Sequence, residues 1–327
     1  MANSKAANIH NKATKIKKTP EDIIINTIVY LICAIVFILT VYPFYYCVVI
    51  SFNEGNDASL GGIFWWPRKP TLENYEQVFK NKQLMPAFGV TIARTLIGTV
   101  TSVLFTGIIA YALAHKDLVF RNFYFTILII AMYVGGGVIP TFLLYKNIGL
   151  YDTFWVYVIP SLFGVWNCIL MMNFFREIPA SLEESARIDG ANDVTIFFRI
   201  IIPVSMPILA TIALFNGVGH WNDWYATAFY TKSRNLQTAA SQLKEIIAQS
   251  NLTAITSANP AASLDNVQRQ VEGATQNYTA ETIRMATMVV TVFPITVVYP
   301  FLQKYFVKGI MIGSIKEIGR ASCRERV

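Results

Sequence analysis

The chain has 327 residues, 54% of them hydrophobic and only 14% charged, and a mean hydropathy of +0.43. That balance excludes an ordinary soluble globular domain and points to several membrane spans. The formal net charge is +7, but the basic residues collect at the two ends and in certain loops rather than in one patch, so the charge implies no nucleic-acid partner. Cys33, Cys47, Cys168 and Cys323 show no paired or metal-ligand spacing, and the three histidines form no cluster, so no metal is expected.

Residues 1–22 are polar and basic and read as a cytoplasmic tail. The alternative is the basic start of a signal peptide, but the apolar run over 23–51 is longer than a signal core and long enough to cross a bilayer. A polar loop over 52–87 follows; its Trp65-Trp66 pair either sits at the membrane interface or packs within the loop. Further spans are predicted over 88–114, 123–145, 153–175, 196–219 and 282–303. The first carries Pro43, the third Gly135-Gly136-Gly137 and Pro140, the fourth Pro160, the fifth Pro203 and Pro207, and the sixth Pro294 and Pro300. Proline removes a backbone donor, and broken helices survive in lipid only where neighbours or a cavity satisfy the freed groups. The expected fold is therefore all-α, a polytopic membrane protein with six transmembrane helices, over a domain at 23–316.

Segments 1–22, 115–122, 176–199 and 304–326 carry 16 lysines and arginines, against 9 in segments 52–87, 146–152 and 220–281. The positive-inside rule then places both termini and the 177–203 loop in the cytoplasm. Within the 220–281 loop, Leu236, Leu243, Ile246 and Ile247 lie near helical spacing and predict an amphipathic helix over 236–248. Residues 251–278 have little to bury and read as a solvated loop. The tail over 317–327 is basic, without apolar period, and reads as a cloning remnant or a basic cytoplasmic extension.

The loop at 177–203 is the most informative stretch. Pro179 sets a helix start; Ser181 reads as its N-cap, with Glu184 completing a capping box and Glu183 favouring the dipole. Gly190 is placed to close the helix, and Leu182 and Ala186 share one face. The run Glu184-Ser185-Ala186, then Gly190, then Ile200-Ile201-Ile202-Pro203 resembles the loop that defines permease subunits of binding-protein-dependent ABC importers. Ser185 stands where that family carries Ala, and Ile202 where it carries Leu. The resemblance implies a cytoplasmic coupling helix, with Ser181, Glu183, Glu184, Ser185, Ala186, Asp189, Gly190 and Pro203 facing a separate ATPase. It further implies a second permease, two ATPase subunits that hold ATP and Mg, and an extracytoplasmic binding protein that docks on the 220–281 loop, in a bacterial plasma (inner) membrane.

The order of spans resembles the carbohydrate branch, in particular the smaller permease of maltose-type importers. His220-Trp221-Asn222-Asp223-Trp224 and the run from Tyr299 to Ile310 carry that likeness. Gly135 to Pro140 with Asn147 to Leu150 resembles a subgroup tied to plant or algal oligosaccharides, some bearing uronates. Sugars present hydroxyls and flat C–H faces, so Tyr133, Gly135, Asn167, Asn216, Trp221, Asn222 and Trp224 are candidates for the pathway, against ordinary span packing for each alone. Arg94 and Arg284 lie inside spans, where a charge is costly unless paired or wetted. They either line an outer cavity that meets a carboxylated sugar or snorkel to the interface. No phosphate-cradling loop or catalytic triad is present, so ATP chemistry belongs to another chain and this one is not an enzyme. The competing reading is an ion-coupled secondary transporter, which needs acidic groups mid-span that the six predicted spans lack.

Overall fold

A computed structural model describes residues 20–115, 117–257, 277–298 and 300, with backbone only over 249–257. The parts of the 1–22 tail, the 251–278 loop, the 299–310 run and the 317–327 extension beyond these bounds lie outside the described residues.

The described chain is helical. Three helices are long and apolar enough to cross a membrane: α1 (Pro20–Ser51), α4 (Leu84–Ala114) and α15 (Ala280–Val298). Between α1 and α4 lie two short helices, α2 (Gly55–Ser59) and α3 (Glu73–Lys80). Three bent pairs supply the other spans. α5 (Arg121–Tyr133) and α6 (Val138–Asn147) meet at 114°. α7 (Trp155–Val158), prolonged by one 3₁₀ turn, and α8 (Val165–Arg176) meet at 48°. α9 (Ala180–Ile188) then crosses to α10 (Asp193–Ile196), which continues through a π turn and α11 (Ile202–Val204) and meets α12 (Met206–Asn222) at 83°. Counting each pair as one span gives six. α13 (Tyr225–Tyr230) and α14 (Ala239–Ser257) close the list before α15.

The breaks fall where the sequence removes backbone donors or frees φ. Gly137 sits at φ +75 between α5 and α6, and Pro203 and Pro207 flank the bend at Ser205. The π turn over Phe197–Ile201 adds a residue to the ladder just before Pro203, a usual response to a proline's missing bond.

The core lies where α4 packs on α12 and α8. Ala110, Tyr111 and Leu113 from α4 meet Cys168, Met171, Met172 and Phe175 from α8, and Ile196, Phe197, Ile201 and Ile212 close the cluster. Close crossing of α4 and α12 needs small residues: a Cβ on Gly98 would stand 2.5 Å from His220 Nε2. α1 is the opposite case. Its apolar side chains are exposed around the whole circumference, and only Val49, Ile50 and Ser51 at its end are buried. There Asn74 of α3 ties the loop lobe to it, donating to Ser51 O at 2.9 Å and Asn53 O at 2.8 Å. Trp65 packs near Tyr42 and accepts a hydrogen bond at its carbonyl from Tyr45, and both Trp65 and Trp66 are exposed.

Candidate functional site

Two groups of residues lie at opposite ends of α4. At its carboxyl end sits α9. The N-cap of α9 is Pro179, with φ −59 and ψ 126, and Ser181 lies inside the first turn, so the expected capping box does not form. The reason is local: Pro179 is already extended and its carbonyl accepts from Leu182 N at 3.2 Å, so the helix starts before Ser181. Glu183 lies 3.8 Å from His115 Nδ1 just beyond α4, and Glu184 is exposed.

The other end of α9 follows expectation. Gly190 takes φ +82; Ala191 N donates to Ala186 O at 2.9 Å and Gly190 N to Arg187 O at 3.0 Å. These two bonds form a Schellman motif, which satisfies carbonyls the helix would otherwise leave open. Asn192 then caps α10, accepting from Thr195 N at 2.8 Å, a cap the sequence reading missed. Arg187 pairs with Asp193 at 2.9 Å across the turn. Ala186 is buried in the main core, whereas Leu182, Ile188 and Val194 are exposed, Ile188 at 86%. The helix is therefore plugged into the bundle by one small residue and exposes Leu182 and Ile188 on separate faces, among Glu184, Ser185 and Asp189. Beside it, Arg121 Nε and Arg176 Nη2 both donate to Leu113 O, at 3.2 and 3.5 Å, and cover the carboxyl end of α4. Pro203 lies further along the same path, two residues before the bend at Ser205.

The far end of α4 holds a cavity of about 370 Å³. Arg94 is 1% exposed on its wall. It does not snorkel: its guanidinium donates to Asp223 Oδ2 at 2.6 Å and Asp223 O at 3.0 Å and lies 4.3 Å from the Tyr157 ring centroid. Asp223 Oδ1 accepts from Tyr225 N and Ala226 N at 2.8 and 3.1 Å and so caps α13. His220, Ser161 and Tyr230 line the same space. Asp223, Tyr157, His220 and Ser161 were not among the sequence candidates. For Asp223 a signal existed: a buried arginine demands a partner of opposite sign, and Asp223 ends the fifth span.

Two sequence candidates meet directly. Asn167 of α8 donates to Asn216 Oδ1 at 2.9 Å, and Asn216 donates to Ser102 Oγ of α4 at 3.1 Å, an amide relay across three helices with Asn216 on the cavity wall. The others stand apart. Tyr133 and Gly135 are exposed at the α5–α6 break. Trp221 donates to Thr291 O at 3.0 Å and holds α12 to α15. Asn222 is exposed, Trp224 stacks under Lys244 of α14, and Arg284 of α15 is half-buried with Glu281 at 4.0 Å.

The predicted loop helix is displaced rather than absent: it runs over Ala239–Ser257, because the chain over 231–238 is held outside the α-helix, with one 3₁₀ turn at Arg234–Leu236. Asp152 does the holding. Its carboxylate accepts from Lys232 N and Ser233 N, both at 2.8 Å, and from Ser233 Oγ at 2.7 Å. The Ser233 hydroxyl, then the two amides, keep its carboxyl below the ordinary 3.8. A depressed folded-state pKa gives stability that is complete above the ordinary value and is lost as pH falls through the folded one. Hydrogen-exchange protection of the Lys232 and Ser233 amides, corrected for intrinsic rates, should therefore drop on acidification. In Asp152→Ala, which has no acceptor, it should be low at every pH.

The pattern of the family described as "Binding-protein-dependent transport system inner membrane component" matches residues 102–312. Protein LplC of Bacillus subtilis is 36% identical, over 87% of this chain and 94% of its own. The polygalacturonan/rhamnogalacturonan transport system permease protein YtcP of the same organism is 33% identical, over 85% and 93%. A chain from a bacterial ABC transporter involved in import of the acidic polysaccharide alginate superposes with TM-score 0.79 at 30% identity, covering 88% of this chain and 98% of that one. These matches set aside the ion-coupled reading. The chain belongs to the binding-protein-dependent inner membrane component family and is a transmembrane permease subunit of an ABC importer, not itself an enzyme.

Proposed function

We propose that this permease imports oligosaccharides, with uronate-containing chains as its substrate class. It pairs with a second permease and with two ATPase subunits that bind ATP and Mg, and it receives sugar from an extracytoplasmic binding protein. Both termini and α9 face the cytoplasm, as the distribution of lysine and arginine supports. The 52–83 and 223–257 segments face outward, and α14 belongs to the surface offered to the binding protein.

The observation that carries this reading is α9 itself. A short helix closed at its carboxyl end by the Gly190 turn, anchored by Ala186 and exposing Leu182 and Ile188, has the form of a lever that an ATPase groove can grip. Ser181, Glu184, Ser185 and Asp189 supply its polar rim, and movement passes through the core at Ala186 and the bend after Pro203. The substrate class rests on YtcP and the alginate importer, whose substrates are acidic polysaccharides. The cavity supports it: Tyr145, Tyr157 and Tyr230 offer flat faces, and Asn216 and Ser161 offer polar contacts.

The test is co-purification of the detergent-solubilised complex from its native membrane. A P-loop ATPase and a second permease should accompany the wild type. Ile188→Glu, which puts a charge at the centre of the proposed contact, should lose the ATPase by at least tenfold, since a central apolar anchor contributes about 2 kcal/mol or more. A chain that purifies alone, or Ile188→Glu that retains the ATPase fully, overturns the reading.

A further inference from the structure

The cavity at Arg94 holds an unfinished site. An arginine side chain has five N–H donors in a planar fork, and a carboxylate matches that fork best with two oxygens at once. Arg94 uses only its two terminal nitrogens, on one oxygen of Asp223 and on that residue's carbonyl. Its Nε is buried and has no hydrogen-bond partner among the described residues. A buried, unpaired donor on a cation is costly, and Arg94 lines a cavity of about 370 Å³.

The two partners are unequal. The Arg94 side chain is 2% exposed and fixed over the Tyr157 ring, whereas the Asp223 side chain is 30% exposed. Asp223 also has a second occupation, because its Oδ1 caps α13 whether or not Oδ2 stays on Arg94. It can release the guanidinium without becoming unpaired.

Resting on the uronate reading above, we propose that Arg94 is a carboxylate subsite and that Asp223 is its resident competitor: a uronate carboxylate takes the Nε–Nη2 edge of Arg94 while Asp223 falls back on the α13 cap. The volume is at the low end for small-molecule sites, so the subsite takes about one sugar ring of a longer chain. A lone buried arginine would hold a carboxylate too firmly for a pathway, where binding must be strong enough to admit and weak enough to release. Asp223 supplies the release. It neutralises Arg94 when the site is empty and, by like-charge repulsion, expels the guest when both carboxylates are present. The exchange also loosens or tightens the α12–α13 junction, which leads through the Asp152 clamp to α14, so occupancy of the cavity is felt at the outward loop.

The probes are trigalacturonate and its fully methyl-esterified form, in which each carboxylate is replaced by a neutral methyl ester. Their binding is measured by calorimetry on the solubilised permease–ATPase complex without the binding protein, and their uptake in proteoliposomes with it. In Asp223→Asn the competitor is gone and Oδ1 remains as a cap: the ratio of ester Kd to acid Kd should rise about tenfold, and turnover of the acid should slow. In Arg94→Gln/Asp223→Asn both charges go together, no buried charge is stranded, and the ratio should fall about tenfold below wild type. A ratio that moves in neither variant, with acid still bound and transported, overturns the subsite and leaves the uronate reading standing. A wild-type complex that binds and imports the ester but not the acid overturns the uronate reading and the subsite with it.

Discussion

Gly190→Val is expected to reduce ATP-coupled uptake at least tenfold, with Gly190→Ala intermediate and Gly190→Asn close to wild type. The order follows from backbone preference and not from size. Gly190 holds φ +82, and no atom of the described residues lies within 4 Å of where a Cβ would be, so an added Cβ meets open space. The cost is conformational: the left-handed region costs an L-residue about 1–2 kcal/mol, more for a β-branched side chain and less for asparagine. A chain that refuses this φ loses both Schellman bonds, to Ala186 O and Arg187 O, and the turn that carries Asn192 into its capping position. α9 would still be helical but would no longer leave the bundle at a fixed angle. Uptake and ATPase co-purification measured across the three variants separate the cases. If valine and asparagine act alike, the left-handed turn does not matter to coupling.

The helices and their interruptions are legible in the sequence because their causes are local. Gly135 to Pro140 and the Pro203–Pro207 pair mark where the ladder must break. The angles of 114° and 83° at those breaks are not legible, since they depend on what each half packs against. The coupling loop divides in the same way. Gly190 declares a C-terminal turn through an intrinsic property of glycine, and the turn forms as expected. Ser181 announced a cap through a statistical preference, and Pro179, already extended one step earlier, took the position. The cavity is the least legible part. Arg94 is visible as a misplaced charge, but its partner lies 129 residues away, where Asp223 reads equally well as a cap at the end of a span. Only folding shows that one carboxylate does both tasks. Asn167 and Asn216 were identifiable singly by polarity at span depth; their contact, and the link to Ser102, depends on three helices meeting.

Breaking the Arg94–Asp223 pair should destabilise the protein unequally from its two sides. Removing the partner of a buried ion costs about 3–5 kcal/mol when the remaining charge has no access to water. Asp223→Asn leaves a cation on a side chain that is 2% exposed and should cost about 3 kcal/mol, the low end of that range because the amide oxygen recovers part of the lost bond. Arg94→Gln leaves a carboxylate that is 30% exposed and still accepts from Tyr225 N and Ala226 N, so its cost should be smaller, about 1–2 kcal/mol. The double variant strands neither charge and should recover most of the loss, giving strong non-additivity across the cycle. At about 2–4 °C per kcal/mol for chains of this order of size, thermal unfolding of the detergent-solubilised complex resolves all three. Equal losses that simply add would mean that the two groups do not share one buried field, and that Asp223 acts on α13 alone.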